Sequence, residues 1–252
     1  MDSQQVALIF ATGIAVGAIN NLAGAAGAIG LLAFDVVLGM STAEANASLR
    51  PSALALGISG LIGFWSKGRT IPVRLWGYAA LTVPGAVAGA VLAVQLPAWV
   101  FQATLTTLLL LVLAQQLWPR PQMTDTAPRR AVPAWAMLLL FTWLGLHMGF
   151  VQVATGLIAI FILSLVHSRD LVQVNAAKMA LVIISALAST ATMACTGAVA
   201  WGPAGVLAGG AGLGSFVASR WSVQAGHGTV RVVVVAICVL VLGRQAFRLV
   251  SG

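Results

Sequence analysis

Charge is what this chain lacks. Five acidic residues and 13 lysines and arginines are all it carries, 7% of 252 residues, where a soluble domain has about a quarter. That shortage excludes a soluble globular fold. It also argues against an enzyme: acid–base catalysis needs positioned His, Asp or Glu groups, and no histidine and carboxylate pair up on one face, so no catalytic residue is assigned. The two cysteines, Cys195 and Cys238, sit inside apolar runs without CxxC or metal-ligand spacing. They occupy non-equivalent segments, which excludes a thiol relay, and both read as small core residues. No metal and no cofactor is expected. The N-terminus, Met1-Asp2-Ser3-Gln4-Gln5, lacks the positive region of a signal peptide, so the first apolar run is expected to remain as a span.

What is present is apolar. Sixty per cent of the residues are hydrophobic and the mean hydropathy is +1.01, the composition of an all-α polytopic membrane protein. A net charge of +8 and a pI near 11.4 could suggest nucleic acid, but that needs a basic stripe on a soluble face. Here the cations lie in short loops between apolar runs, where they set topology. The partner is therefore the lipid bilayer and not nucleic acid. Trp65, Trp76, Trp99, Trp118, Trp135 and Trp201 fall at run ends, as an interfacial aromatic belt requires.

The apolar runs fall at about 6–21, 27–39, 48–65, 75–95 and 99–118, and again at about 134–151, 155–166, 176–196, 203–218 and 230–249. An upright span needs about 20 residues. The second run of each set is too short, which predicts one re-entrant or half-span segment per set. The proline-rich stretch 119–133 separates a first transmembrane repeat, 1–118, from a second, 134–252.

The sets read as copies. Gly13-x3-Gly17 followed by Asn20 and Gly24 answers Gly145-x3-Gly149 followed by Gln152 and Gly156. Ala47-Ser48-Leu49 answers Ala176-Ala177-Lys178, and Gly85-x3-Gly89 answers Gly210-x3-Gly214. Matches in one order at nearly constant offset indicate an internal repeat. Lys67, Arg69 and Arg74 follow the third segment of the first copy, whereas Arg220, His227 and Arg231 follow the fourth segment of the second. Their counterparts in the other copy, Gly197 to Gly202 and Leu96 to Ala98, carry no cation. The positive-inside rule therefore places equivalent loops of the two copies on opposite sides, and five segments per copy give the same inversion by parity. The linker, with Arg120, Arg129 and Arg130, is then cytoplasmic and both termini outside. Arg244 and Arg248 resist this orientation unless they snorkel to headgroups.

Inverted repeats with interrupted helices are the mark of secondary transporters, whose sites form near the midplane where half-helix N-termini meet anionic groups. The first interruption holds Asn20, Asn21, Gly24, Gly27 and Gly30; the second holds Gln152, Thr155 and Gly156. The two are expected to face each other and to bind a small anion through exposed backbone N–H groups. The alternative is that these glycines only allow close helix packing. A second anion-friendly feature opens each third segment, with Ser48 as N-cap beside Arg50 and Asn175 as N-cap before Lys178; the alternative is that both cations snorkel. Asp35 is the acid inside an apolar run, either a structural partner of Arg50 or a proton-coupling group. His147 reads as packed and hydrogen-bonded.

This order of motifs, with a turn like Gly68-Arg69-Thr70-Ile71-Pro72-Val73-Arg74-Leu75-Trp76, resembles the TauE/SafE family (sulfite exporter or toluenesulfonate uptake permease-like) over nearly the whole chain. The resemblance implies a multi-pass carrier in the bacterial inner membrane for sulfite, sulfoacetate or another small sulfonate. It implies that the family's glycine-rich motif falls on Gly24, Gly27 and Gly30, with its second copy on Gly156. The family's Thr-Ser pair falls on Ser48, and its Thr-Ser-Lys falls on Ala176-Ala177-Lys178. The second copy has lost most break glycines and its Thr-Ser, departures that bear on substrate more than on fold. The membrane potential drives an anion outward without a coupling ion, and the shortage of acids favours export by alternating access. Proton-coupled uptake of a sulfonate or short carboxylate through Asp35, and an anion channel, stay open as alternatives. So does the oligomeric state, a homodimer included.

Overall fold

The computed structural model describes residues 1–24, 26–117, 132–168 and 170–221, together with 239 and 243. Most of the expected linker and the run at 230–249, with Arg244 and Arg248, lie outside the described residues, as do Trp118 and Cys238. Among the described residues the chain is helical and has no strand. α1 (Ser3–Ala23) opens on a capping box, in which Asp2 accepts from the Gln5 N–H and the Gln5 side chain accepts from the Asp2 N–H. It stops at Gly24, whose left-handed backbone returns its N–H to the Asn20 carbonyl. α2 (Gly27–Leu38) follows and, at 12 residues, is about half a membrane long. The Gln5 side-chain amide donates to the Val37 carbonyl, so α1 and α2 fold back as an antiparallel hairpin with the break at its tip.

The third segment is α3 (Thr42–Ser48) continuing into α4 (Arg50–Trp65), and the fourth is α5 (Val73–Ala80) continuing into α6 (Val83–Gln95). Each junction lies just before a proline, Pro51 or Pro84, which cannot donate back to the preceding turn. α7 (Ala98–Leu117) completes the first set. α8 (Ala134–Phe150), α9 (Thr155–Val166), α10 (Leu171–Cys195) and α11 (Trp201–Trp221) repeat the pattern. Among the described residues four stretches, Ser3–Leu22, Thr42–Trp65, Val73–Gln95 and Val172–Cys195, are long and apolar enough to cross a membrane.

The packing relates the two sets. Gly13 lies against Leu207 and Gly210 and Gly17 against Ala211 and Ser215, so α1 runs parallel to α11. In the equivalent pair Gly85 meets Thr142 and Gly89 meets Leu146, so α6 runs parallel to α8. A methyl group on Gly17 would sit 2.0 Å from the Ala211 carbonyl oxygen, and one on Gly149 2.2 Å from that of Ala86. The small-x3-small surfaces are close-packing surfaces. At the centre Gly57 meets Val182 and Ile183 while Gly60 meets Met179, so α4 and α10 are antiparallel. These two are counterparts in the repeat, and their opposite directions are what inverted topology requires. The fold is that of an all-α polytopic membrane protein built from two inverted repeats.

The loops separate onto two faces. Arg74 lies 3.2 Å from the ring of His167, which brings the loop after α9 to the loop after α4. The cations Lys67, Arg69, Arg74 and Arg220 share that face. Ser41, Glu44, Val94 and the 197–200 turn line a groove of about 340 Å³ on the other.

Three expectations need correction. Ser48 does not cap a helix: α3 starts at Thr42, capped by Ser41, and Ser48 ends it with its hydroxyl accepting from the Ala200 N–H at 2.9 Å. Asn175 does not cap either, because α10 starts at Leu171 with Asp170 as its cap. In both cases a polar residue upstream of the apolar run supplies the cap. Cys195 is exposed at the end of α10 rather than buried in the core.

Candidate functional site

The two breaks meet. The carbonyl of Gly24 accepts from the N–H groups of Gly156 at 3.0 Å and Leu157 at 3.3 Å. Gly24 has φ 74°, and a methyl there would lie 2.3 Å from the Gly156 carbonyl carbon, so both the turn and the contact require glycine. The breaks face each other, but the exposed backbone amides expected at the second are not free, since the Gly156 and Leu157 N–H groups are bonded to the Gly24 carbonyl. The second break makes its left-handed turn with Ala154, φ 60°, a conformation that costs an alanine about 1 kcal/mol.

Behind each break lies a buried cation. Lys178 is wholly buried, and its Nζ donates to the Asn20 carbonyl at 2.8 Å, the Asn21 carbonyl at 3.0 Å and Asn175 Oδ1 at 2.9 Å. Arg50, also wholly buried, donates to the Met148 carbonyl, and at 3.0 Å to the Phe150 carbonyl and Asn46 Oδ1. Neither side chain snorkels. Each repeat's third segment thus sends a cation, with an amide beside it, to the C-terminal end of the other repeat's first helix, where the helix dipole is negative and the last carbonyls run short of intrahelical donors. Asn46, which also donates to the Phe150 carbonyl at 3.0 Å, escaped the sequence reading. The register that pairs Ala47 with Ala176 sets Asn46 opposite Asn175, and that was the signal for it.

Between the hairpin tips and the crossing of α4 and α10 lies a cavity of about 20 Å³, room for about one water molecule. Its polar lining is Asn20, Ser52, Gln152, Thr155 and Ser185, with Gly27 and Met148 beside them. Val16 and Met148, like Asn20 and Gln152, hold equivalent places in the two repeats and both members line the cavity, so it straddles the pseudo-twofold axis. Ser52 gives its hydroxyl proton to the Leu49 carbonyl at 2.7 Å and Ser185 to the Leu181 carbonyl at 2.6 Å. Gln152 Oε1 is buried without a hydrogen-bond donor.

Of the sequence-derived candidates, Asn20, Gly27, Gln152 and Thr155 line this cavity. Gly24 and Gly156 hold the tips together. Arg50 and Lys178 stand behind the wall, bonded to it, and Asn175 accepts from Lys178. Asn21 turns away, its amide donating to the Ser215 carbonyl and hydroxyl. Ser48 ties α3 to the turn before α11. Asp35 is half-buried near the end of α2, where its carbonyl accepts from Gly39. His147 is packed as expected, its ring nitrogen 3.1 Å from the Val153 carbonyl. Ser52 and Ser185 were missed, because a serine in an apolar helix carries no signal of the direction it faces.

Interrupted hairpins inserted from opposite faces, with a polar cavity where they meet, define a polytopic membrane protein of the transporter type. The family model for the sulfite exporter TauE/SafE matches residues 9–244, and the chain belongs to that family. It stands therefore among membrane transporters of sulfite or related anions. No curated protein and no solved structure matches it.

Proposed function

We propose that this chain exports a small sulfur oxyanion, sulfite or a short sulfonate, across the bacterial inner membrane by alternating access at the central cavity. The observation that carries the reading is the placement of Lys178 and Arg50. Each is bonded to the backbone carbonyl of a cavity-lining residue, Asn20 or Met148, so positive charge flanks the cavity from both repeats. Such charge inside a low-dielectric interior favours an anion without holding it in a contact ion pair, which suits a carrier that must also release. A site with room for one water is closed around nothing larger, so turnover requires the hairpins or α4 and α10 to shift. A compact anion fits that demand better than an aromatic sulfonate. With the cationic loops placed inside, the membrane potential contributes about 2.3 kcal/mol per charge per 100 mV toward efflux.

The test is counterflow in proteoliposomes. Radiolabelled sulfite should exchange saturably against internal unlabelled sulfite, and a linear, non-saturating leak would point to a channel instead.

A further inference from the structure

The cavity wall offers an anion donors in the Asn20 amide and the Thr155 hydroxyl, but it also holds acceptors that a bare anion cannot satisfy. Gln152 Oε1 is buried with no donor. Ser52 and Ser185 have given their protons to their own helices, leaving oxygen lone pairs as what they can offer a ligand. A fully deprotonated oxyanion carries acceptors only and would find no complement in these three groups, whereas a ligand with an X–H bond of its own would satisfy one of them.

Charge points the same way. Among the described residues no cation lines the cavity; Arg50 and Lys178 sit one peptide group behind it with hydrogen bonds to neutral oxygens. The cost of desolvating an ion grows with the square of its charge, so a dianion is penalised about four times as heavily as a monoanion. Positive potential without a contact ion pair offsets one charge better than two. The remaining elements around the cavity add little charge. α8 brings His147, whose ring is bonded toward Val153; α9 brings no titratable group, α1 only Asp2 at its outer end, α2 Asp35 near its far end, and α11 Arg220 at its last turn.

We infer that the cavity takes its substrate as a singly charged oxyanion that keeps one proton, of the hydrogensulfite type, with Gln152 Oε1 accepting the hydrogen bond from that proton. This rests on the cavity being the transport site.

The experiment is sulfite counterflow in proteoliposomes at several pH values spanning the second ionisation of sulfurous acid, with equal pH on both sides. Initial rates should fall on one saturation curve when plotted against hydrogensulfite. Half-saturation in total sulfite should then rise about tenfold per pH unit above that ionisation. Methanesulfonate, a monoanion without an O–H, should compete at least tenfold more weakly than hydrogensulfite. Gln152→Leu should lose about tenfold in apparent affinity for sulfite, and Gln152→Asn, which keeps an acceptor, should retain most of it. Rates that follow the dianion, or methanesulfonate competing as well as sulfite, would overturn the inference while leaving sulfite transport intact. No exchange at any pH would instead remove the transport reading, and this inference with it.

Discussion

Lys178 Nζ lies 2.8 Å from the backbone oxygen of Asn20, 158 positions away along the chain. One hydrogen bond thus ties the third segment of the second repeat to the first helix of the first repeat where that helix breaks. Arg50 makes the reciprocal connection to Met148 and Phe150.

Removing either cation takes charged donors from buried carbonyls; Asn20 keeps the Gly24 N–H and Phe150 the Asn46 amide, so the Asn21 and Met148 carbonyls lose most. Hydrogen bonds from charged groups contribute about 1.5–3 kcal/mol each. Lys178→Met should therefore lower the unfolding free energy by roughly that much or more, read as a large fall in the thermal midpoint of the detergent-solubilised protein. Lys178→Arg should recover part of it. A midpoint unchanged in Lys178→Met would show that the contact holds nothing together.

The tip contact makes a sharper comparison between glycines. Gly24 and Gly39 both have left-handed backbones, φ 74° and 64°, but only Gly24 has backbone atoms where a side chain would go. Gly39→Ala should cost about 1 kcal/mol, the strain alone. Gly24→Ala should separate the hairpins and abolish counterflow. Equal effects of the two substitutions in a transport assay would contradict the packing described.

Ala154 reverses the logic. It holds φ 60° with a methyl group, so Ala154→Gly should stabilise the protein by about 1 kcal/mol. A rise in thermal midpoint checks this; a fall would mean that the methyl group's packing outweighs the relieved strain.

These residues also mark where the sequence was readable. Helix positions, the repeat and its inversion could be read because hydrophobic length and loop charge are set by the bilayer, a constraint that acts on every residue. The glycine pairs were readable because close helix approach leaves few alternatives. The caps were misplaced because Ser48 and Asn175 stand at the edges of apolar runs, whereas the helices begin a turn or more earlier at Ser41 and Asp170. Ala154 was invisible because an alanine in a left-handed turn looks like any other alanine. The partners of Arg50 and Lys178 are backbone oxygens from the other repeat, which no side-chain pattern encodes.

Orientation can be read from Cys195, exposed beside the groove-bearing turn. In a Cys238→Ser background, a membrane-impermeant maleimide should label Cys195 from outside intact cells after the outer membrane is removed. Labelling only after lysis would put the cationic loops outside.

Asp35 separates the two directions of transport. An exporter driven by the membrane potential should keep its counterflow in Asp35→Asn, within about twofold of the parent. A proton-coupled uptake permease should lose its response to an imposed pH gradient in the same variant.

The most direct measurement is equilibrium binding of radiolabelled sulfite to the purified protein and to two single variants, Asn20→Leu and Asn21→Leu, each first checked for folding. Asn20 lines the cavity and Asn21, one residue on, faces α11. Saturable binding that falls at least tenfold in Asn20→Leu and holds in Asn21→Leu is what a site between the hairpin tips predicts. Binding unaffected by Asn20→Leu would place the anion somewhere else.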